Sequence, residues 1–199
     1  MNANMLIDPL PTTVEIDGRD IPIQTDFRTA ILFEMLVQDK TISKEEKAAY
    51  ALQLWFSEGI PDNLDEATDK MLWFYTCGKT ESVEQAANKA QKTSIDKRIY
   101  DFDIDAELIY AGFLTQYGID LQDEDMHWWK FSAMFAGLEE SREISRIMQY
   151  RAIDLGTIKN KAERKHYAEL QAKYRLPDNR STEDKEAIAG ALFAGQGGR

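Results

Sequence analysis

The stretch Asp125-Met126-His127-Trp128-Trp129-Lys130-Phe131-Ser132-Ala133-Met134-Phe135-Ala136-Gly137-Leu138 decides how this chain folds. At about 100° per residue, Trp128, Phe131, Phe135 and Leu138 fall on one side of a helix, with His127 and Met134 at its margin. Met126, Trp129, Ala133 and Ala136 line a second side. A helix apolar almost all round belongs in the middle of a domain, with other helices on two sides of it. Residues 125–138 are therefore expected to form a central core helix, opened by Asp123 and ended near Gly137.

Around that helix the second half of the chain is helical throughout. Asp103 is expected to cap a helix bearing Ile109, Tyr110, Phe113 and Tyr117, stopped by Gly118. Ser141 opens one with Ile144, Ile147 and Met148, and Asn160 one with Tyr167, Leu170 and Tyr174, ended before Pro177. Short turns between four such helices favour an up-down bundle over residues 99–177.

The first half begins with a hairpin. Thr12-Thr13-Val14-Glu15-Ile16 alternates polar and apolar, Asp17-Gly18 is a two-residue turn signal, and Asp20-Ile21-Pro22-Ile23-Gln24 returns. Pro22 cannot donate to a ladder, so its strand is short or at an edge. An isolated hairpin is marginal in water, so this one must lie on helices or pair with another chain. Thr25 and Asp26 precede a helix through Phe27, Ala30, Ile31 and Met35. Ser43-Lys44-Glu45-Glu46 is a capping box ahead of Ala51, Leu52, Trp55 and Phe56. Asp62 or Asn63 caps a third helix, with Gly78 as its left-handed stop.

Two segments break the pattern. Residues 79–98 carry Thr, Ser, Asn, Gln, Glu and Lys with few apolar positions, and read as a solvated helix or a polar connector between a 1–78 subdomain and a 99–177 subdomain. In residues 178–199, Ser181-Thr182-Glu183-Asp184 is able to cap a short helix bearing Ile188, Leu192 and Phe193 before a glycine-rich end. These three apolar residues are candidates for partner binding, whether docked on the same chain or offered to another. The expected fold is mainly α: an N-terminal β-hairpin packed on a bundle of about seven helices, with Trp55, Tyr110, Phe113, Trp128, Trp129, Phe131, Phe135 and Leu138 in the core.

Composition excludes several classes of function. The formal net charge of −11 argues against nucleic-acid binding, because Lys and Arg supply most affinity for phosphate backbones. A single cysteine, Cys77, removes any intramolecular disulfide and fits a reducing compartment. No apolar run is long enough for a bilayer, and the N-terminus lacks a signal peptide's basic start, so the chain reads as cytoplasmic with no membrane partner. Charge is also uneven. Residues 99–129 hold carboxylates and no Lys or Arg, whereas residues 130–180 are net basic. Solvated helix faces explain this, as does an acidic surface for a basic partner.

The metal-like pattern that stands out is a pair of Glu-x-x-His spacings, Glu124 to His127 and Glu163 to His166, with Glu107 and Glu143 on neighbouring helices. On paper this is the ligand set of a di-iron carboxylate bundle. In an up-down bundle, however, Glu124 and Glu163 lie at one end, and Glu107 and Glu143 roughly 15 Å away at the other. Paired catalytic metals sit about 3.5 to 4 Å apart. The alternate aspartates Asp101, Asp103 and Asp105 suit helix capping better than a calcium loop, because Ala106 and Gly112 stand where such a loop needs Gly and Glu. Cys77 has no neighbouring base, and the terminal glycines do not open a helix. The expectation is a non-enzyme with no cofactor and no metal.

Tyr100-Asp101-Phe102, Asp105-Ala106, Ile109-Tyr110, Tyr117-Gly118-Ile119-Asp120-Leu121, His127-Trp128-Trp129-Lys130-Phe131, Gly137-Leu138, Ile147-Met148 and Tyr150-Arg151 resemble the bacteriophage gene product fifteen family of tailed phages and prophages of Gram-positive bacteria. The hairpin with Thr25-Asp26-Phe27-Arg28 is similar to its N-terminal part, and Leu176-Pro177 to its end. The resemblance covers about residues 12–177 and leaves the tail aside. It implies a tail-module protein whose gene lies between those of the major tail protein and the tape measure protein. Such a protein looks like a tail assembly chaperone, in the host cytoplasm and absent from the virion. The implied partners are the tape measure protein and the major tail protein, with a homo-oligomer left open. The alternatives are a metal-dependent helical-bundle enzyme using the Glu-x-x-His pairs, and a permanent head-tail component.

Overall fold

The structure, a computed structural model, describes residues 4–79 and 98–177. As the pattern predicts, it is mainly helical. A two-stranded antiparallel hairpin, β1 (Thr13–Ile16) and β2 (Arg19–Pro22), precedes α1 (Phe27–Gln38), α2 (Lys44–Trp55) and α3 (Leu64–Tyr75). After residues 80–97 come α4 (Ala106–Tyr117), α5 (Trp128–Ala136), α6 (Glu143–Ala152), a 3-10 turn (Leu155–Thr157) and α7 (Lys161–Lys173).

The hairpin turns at Asp17 and Gly18, both at positive φ, 49° and 71°, as a tight two-residue loop between right-twisted strands requires. Val14 and Ile16 point inward. The hairpin lies on α3: the Asp17 N–H donates to Glu66 Oε2 at 2.9 Å, and Asn63 Nδ2 to Asp17 Oδ1 at 2.8 Å. Pro22 ends β2 on the exposed side, opposite Thr13.

Three helix starts follow local chemistry. Asp26 caps α1 by accepting the Arg28 N–H at 2.8 Å, Ser43 and Glu46 form the reciprocal capping box of α2, and Asn63 caps α3. At the end of α3 the backbone N–H of Gly78 reaches back to Trp73 O and that of Cys77 to Phe74 O, a Schellman arrangement. Cys77 occupies the left-handed position at φ 56° that glycine usually takes, and Gly78 follows at φ 70°.

Three expected starts are displaced. The central helix begins at Trp128 rather than near Asp123, because His127 is extended (φ −63°, ψ 136°) and its Nδ1 accepts the Trp129 N–H. Asp123 instead closes a turn, its N–H on Asp120 O. The helix expected from Asp103 is led by Asp105, whose carboxylate makes no cap bond because it is used elsewhere. Asp101 holds the turn that leads into this helix, accepting from the N–H groups of Asp103 and Ile104. The helix expected from Ser141 starts at Glu143 behind Arg142.

Both halves contribute to one apolar core, running from Val14 and Ile16 through Phe74 to Phe113, Trp129 and Ile144. The short helix α5 packs against α1 on one side and α4 on the other, while α6 lies between α4 and α7. Helix α7 buries no residue fully and is held by ring contacts of Tyr150 with Tyr167 and Tyr174 and by Gln171 Nε2 on Ile153 O. The boundary expected over residues 79–98 falls almost wholly outside the described residues, as does the tail from 178.

Candidate partner-binding groove

Phe131 is the hub of the aromatic core. It is fully buried and stacked between Phe27 of α1, at 4.7 Å between centroids, and Phe113 of α4, at 4.8 Å. Trp128 and Phe135 stack on it from its own helix, and Phe102 tilts against it. Aromatic pairs of this kind add about 0.5–1.5 kcal/mol each beyond the area they bury.

The two tryptophans do more than fill space. Trp128 Nε1 donates to Tyr75 O at 2.7 Å, and Trp129 Nε1 to Phe74 O at 2.8 Å. These carbonyls belong to the last turn of α3, where the helix leaves acceptors open; Phe74 O is shared with the Cys77 N–H, and Tyr75 O with the Cys77 thiol at 3.9 Å. Both indole N–H groups thereby find acceptors inside the core, and the C-terminus of α3 is pinned to the start of α5. The fit is tight: a Cβ added at Gly78 would meet the Trp129 ring at 3.0 Å.

Charged side chains fasten the elements around this hub. Arg28 lies over the Phe27 ring, pairs with Asp26, and donates through NH2 to the carbonyls of Leu121, Gln122 and Glu124. Arg151 of α6 is buried against Asp105, with NH1 to Oδ2 at 2.6 Å and NH2 to Oδ1 at 3.0 Å. Two further donors go to Tyr174 O and Ile99 O. Arg98 bridges Asp101, Gln38 and Pro177 O. Glu34 of α1 is turned inward, where burial raises its pKa and the hydroxyls of Tyr75 and Tyr100 partly offset that. Its Oε2 meets no hydrogen-bond partner among the described residues.

The residues singled out from sequence divide clearly. Trp55, Phe113, Trp128, Trp129 and Phe131 are buried. Tyr110, Phe135 and Leu138 are half-buried against the same cluster. Ile188, Leu192 and Phe193 lie outside the described residues. The Glu-x-x-His residues do not converge. Both ring nitrogens of His127 are engaged: Nδ1 accepts from Trp129, so Nε2 carries the proton and donates to Pro11 O at 3.0 Å. His166 is exposed beside Tyr167, Glu143 pairs with Arg146, and Glu107 is exposed at the edge of a groove on α4. Among the described residues no group of three or more His, Cys, Asp or Glu side chains is placed to hold a metal ion. Burial holds the Cys77 thiol above its usual pKa, unlike an activated nucleophile.

An open groove of about 360 Å³ lies between α1 and α4. Phe27 and Ile31 form one wall, Ala106, Ile109 and Tyr110 the other, and Phe131 and Leu121 close it. Arg28 fixes the 121–124 loop by its carbonyls, and Leu121 and Gln122 of that loop complete the lining. Sequence reasoning placed Tyr110 and Phe131 in the core and Phe27, Ile31 and Ile109 on helix faces without seeing that they leave a concavity, since that depends on how α1 meets α4. Arg28, Glu34 and the Asp105–Arg151 pair were also missed as structural determinants, although Asp105 and Arg151 stood within the motifs that carried the resemblance.

The family described as Bacteriophage Gp15 protein matches residues 6–176. The chain belongs to this family. No curated protein and no solved structure matches it. The Gp15 match takes in the hairpin, the seven α-helices of the described residues, both walls of the groove and the Asp105–Arg151 pair, and stops before the tail.

Proposed function

We propose that this phage protein is a non-enzymatic tail assembly chaperone, which binds and shields the tape measure protein while the tail tube polymerises. In this reading it works in the cytoplasm of a Gram-positive host of a tailed phage or prophage and is absent from the finished virion. The observation that carries the reading is the open apolar groove between α1 and α4. A tape measure protein is a long helical polymer, and a helix offers apolar anchors at i, i+3, i+4 and i+7 that a groove of this kind accepts. Exposed Leu32, Met35 and Val37 extend the apolar surface of α1. Of these, Met35 lies one turn on from Ile31 and so on the groove's side of α1.

The test is co-expression with the tape measure protein encoded beside it. A soluble, co-purifying complex is expected, with the tape measure insoluble when expressed alone. Unchanged solubility and no complex would end the proposal. Mass spectrometry of purified particles addresses location separately, and stoichiometric recovery of the protein from virions would make it a head-tail component instead.

A further inference from the structure

The groove between α1 and α4 is apolar within and acidic on one rim. Its floor and walls are Phe27, Ile31, Ile109, Leu121 and Phe131. Glu107 lines the α4 side and is exposed. Tyr110, also at the rim, donates its hydroxyl to Asp120 Oδ2 at 2.9 Å, and that bond, with the nearby charges of Asp120 and Asp123, pushes the phenol pKa up. Glu124 and Asp125 follow in the same loop, both exposed.

Three arginines among the described residues are already committed. Arg28 is engaged by Asp26 and by three loop carbonyls, while Arg98 and Arg151 neutralise the buried carboxylates of Asp101 and Asp105. Among the described residues no ion pair holds Glu107, Asp123, Glu124 or Asp125. A ligand that seats apolar side chains in the groove must carry its flanking residues over this negative edge. Acidic flanks are repelled there and Lys or Arg flanks are drawn in, over a range of about 8 Å at physiological salt.

We propose that the groove receives an amphipathic helix of a partner protein, with apolar anchors on one face and a basic flank that lies over Glu107 and the 120–125 loop. The proposal deepens the tail-assembly reading and rests on it for the identity of the partner. The chemistry of the segment follows from the groove itself.

The direct probe is a designed helical peptide of about five turns, with Leu at i, i+3, i+4 and i+7 and a Lys-rich flank, titrated into the full-length protein by fluorescence anisotropy. Saturable binding is expected, about tenfold tighter than that of a Glu-flanked twin, with the difference shrinking as salt is raised. Ala106→Trp fills the groove from an exposed position, and Glu107→Lys reverses the rim at an exposed residue that no ion pair among the described residues holds. Each is expected to weaken the Lys-flanked peptide about tenfold while leaving the melting curve unchanged. Should Ala106→Trp disturb folding, Glu107→Lys still decides the matter.

Absence of saturable binding, equal affinity for the two peptides, or affinity untouched by Glu107→Lys would overturn the proposal. A dimer that Ala106→Trp dissociates would assign the groove to a second copy. A gain in peptide affinity on removing residues 178–199 would assign it to the chain's own tail. Either result also overturns it. Co-purification of the tape measure protein is scored separately: its failure with the peptide result intact sinks the tail-assembly reading alone, and the converse sinks the groove alone.

Discussion

Asp26 and His127, each the N-cap of a helix and drawn from opposite halves of the chain, face each other across an antiparallel bridge. The Phe27 N–H donates to Met126 O at 2.9 Å, and the Trp128 N–H to Thr25 O at 2.7 Å. The first free donor of each helix is thus satisfied by the lead-in of the other. The bridge fixes the directions in which α1 and α5 depart, and so brings Phe27 flat against Phe131 under the groove.

His127 makes this junction sensitive to acid. Burial lowers its pKa below the ordinary 6.5, and the bond to Pro11 O opposes this only in part. Below that value the unfolded chain takes up the proton first, so stability is complete above about pH 6.5 and falls as pH drops toward the folded value. Protonation of Nδ1 also removes the acceptor for Trp129. His127→Asn keeps a capping oxygen without the titration, and is expected to flatten the stability curve over this interval in urea melts. Equal pH dependence in the two proteins would show that His127 is not responsible.

Glu34 acts in the opposite direction. Burial raises its pKa above the ordinary 4.5 and Asp101 adds to this, against the hydroxyls of Tyr75 and Tyr100 and the charge of Arg98. The folded state therefore binds the proton more tightly. The stabilisation is complete below about pH 4.5 and lost as pH rises through the folded value. Glu34→Gln is expected to raise the melting temperature at neutral pH and to lose that advantage in acid. A destabilised variant at neutral pH would mean that the charged carboxylate is held by more than the contacts seen.

The two indole donors can be separated from the bulk of their rings. Trp128→Phe leaves Tyr75 O without its partner in the core, at a cost of about 1–3 kcal/mol in addition to lost packing. Trp128→Ala should cost about 3–5 kcal/mol. Trp55 is the internal control, because its buried N–H has no hydrogen-bond partner among the described residues. Trp55→Phe should accordingly be milder than Trp128→Phe in chemical denaturation. The reverse order would remove the capping role.

Arg151→Met strands the buried Asp105 carboxylate and unlinks Tyr174 and Ile99, and is expected to cost roughly 3–5 kcal/mol. Asp105→Asn should cost less, since the amide still accepts one guanidinium bond. A double-mutant cycle with strictly additive losses would show that the pair is not coupled.

The sequence carries those elements whose signals are local. Asp17-Gly18 turns the hairpin, Ser43 and Glu46 box the start of α2, and Gly118 ends α4 at φ 68°, each through groups within a few residues. What distant residues decide is hidden. Met126 and His127 continue the helical spacing of the residues that follow, yet stay outside the helix because Asp26 pairs with His127. Asp105 sits at a capping position, yet its carboxylate turns to an arginine on another helix. Helical periodicity placed Trp128 and Trp129 inside, but could not name the α3 carbonyls that receive their N–H groups. The groove was illegible for the same reason: it is a property of the α1–α4 separation, and its lining residues are ordinary core types.

The most direct measurement of the central claim is hydrogen exchange of the full-length protein, free and saturated with the tape measure protein. Added protection is predicted in α1, in the first turns of α4 and in the 120–127 loop, with the α6–α7 pair unchanged. Protection confined to α6 and α7, or none above that of the free protein, would contradict it.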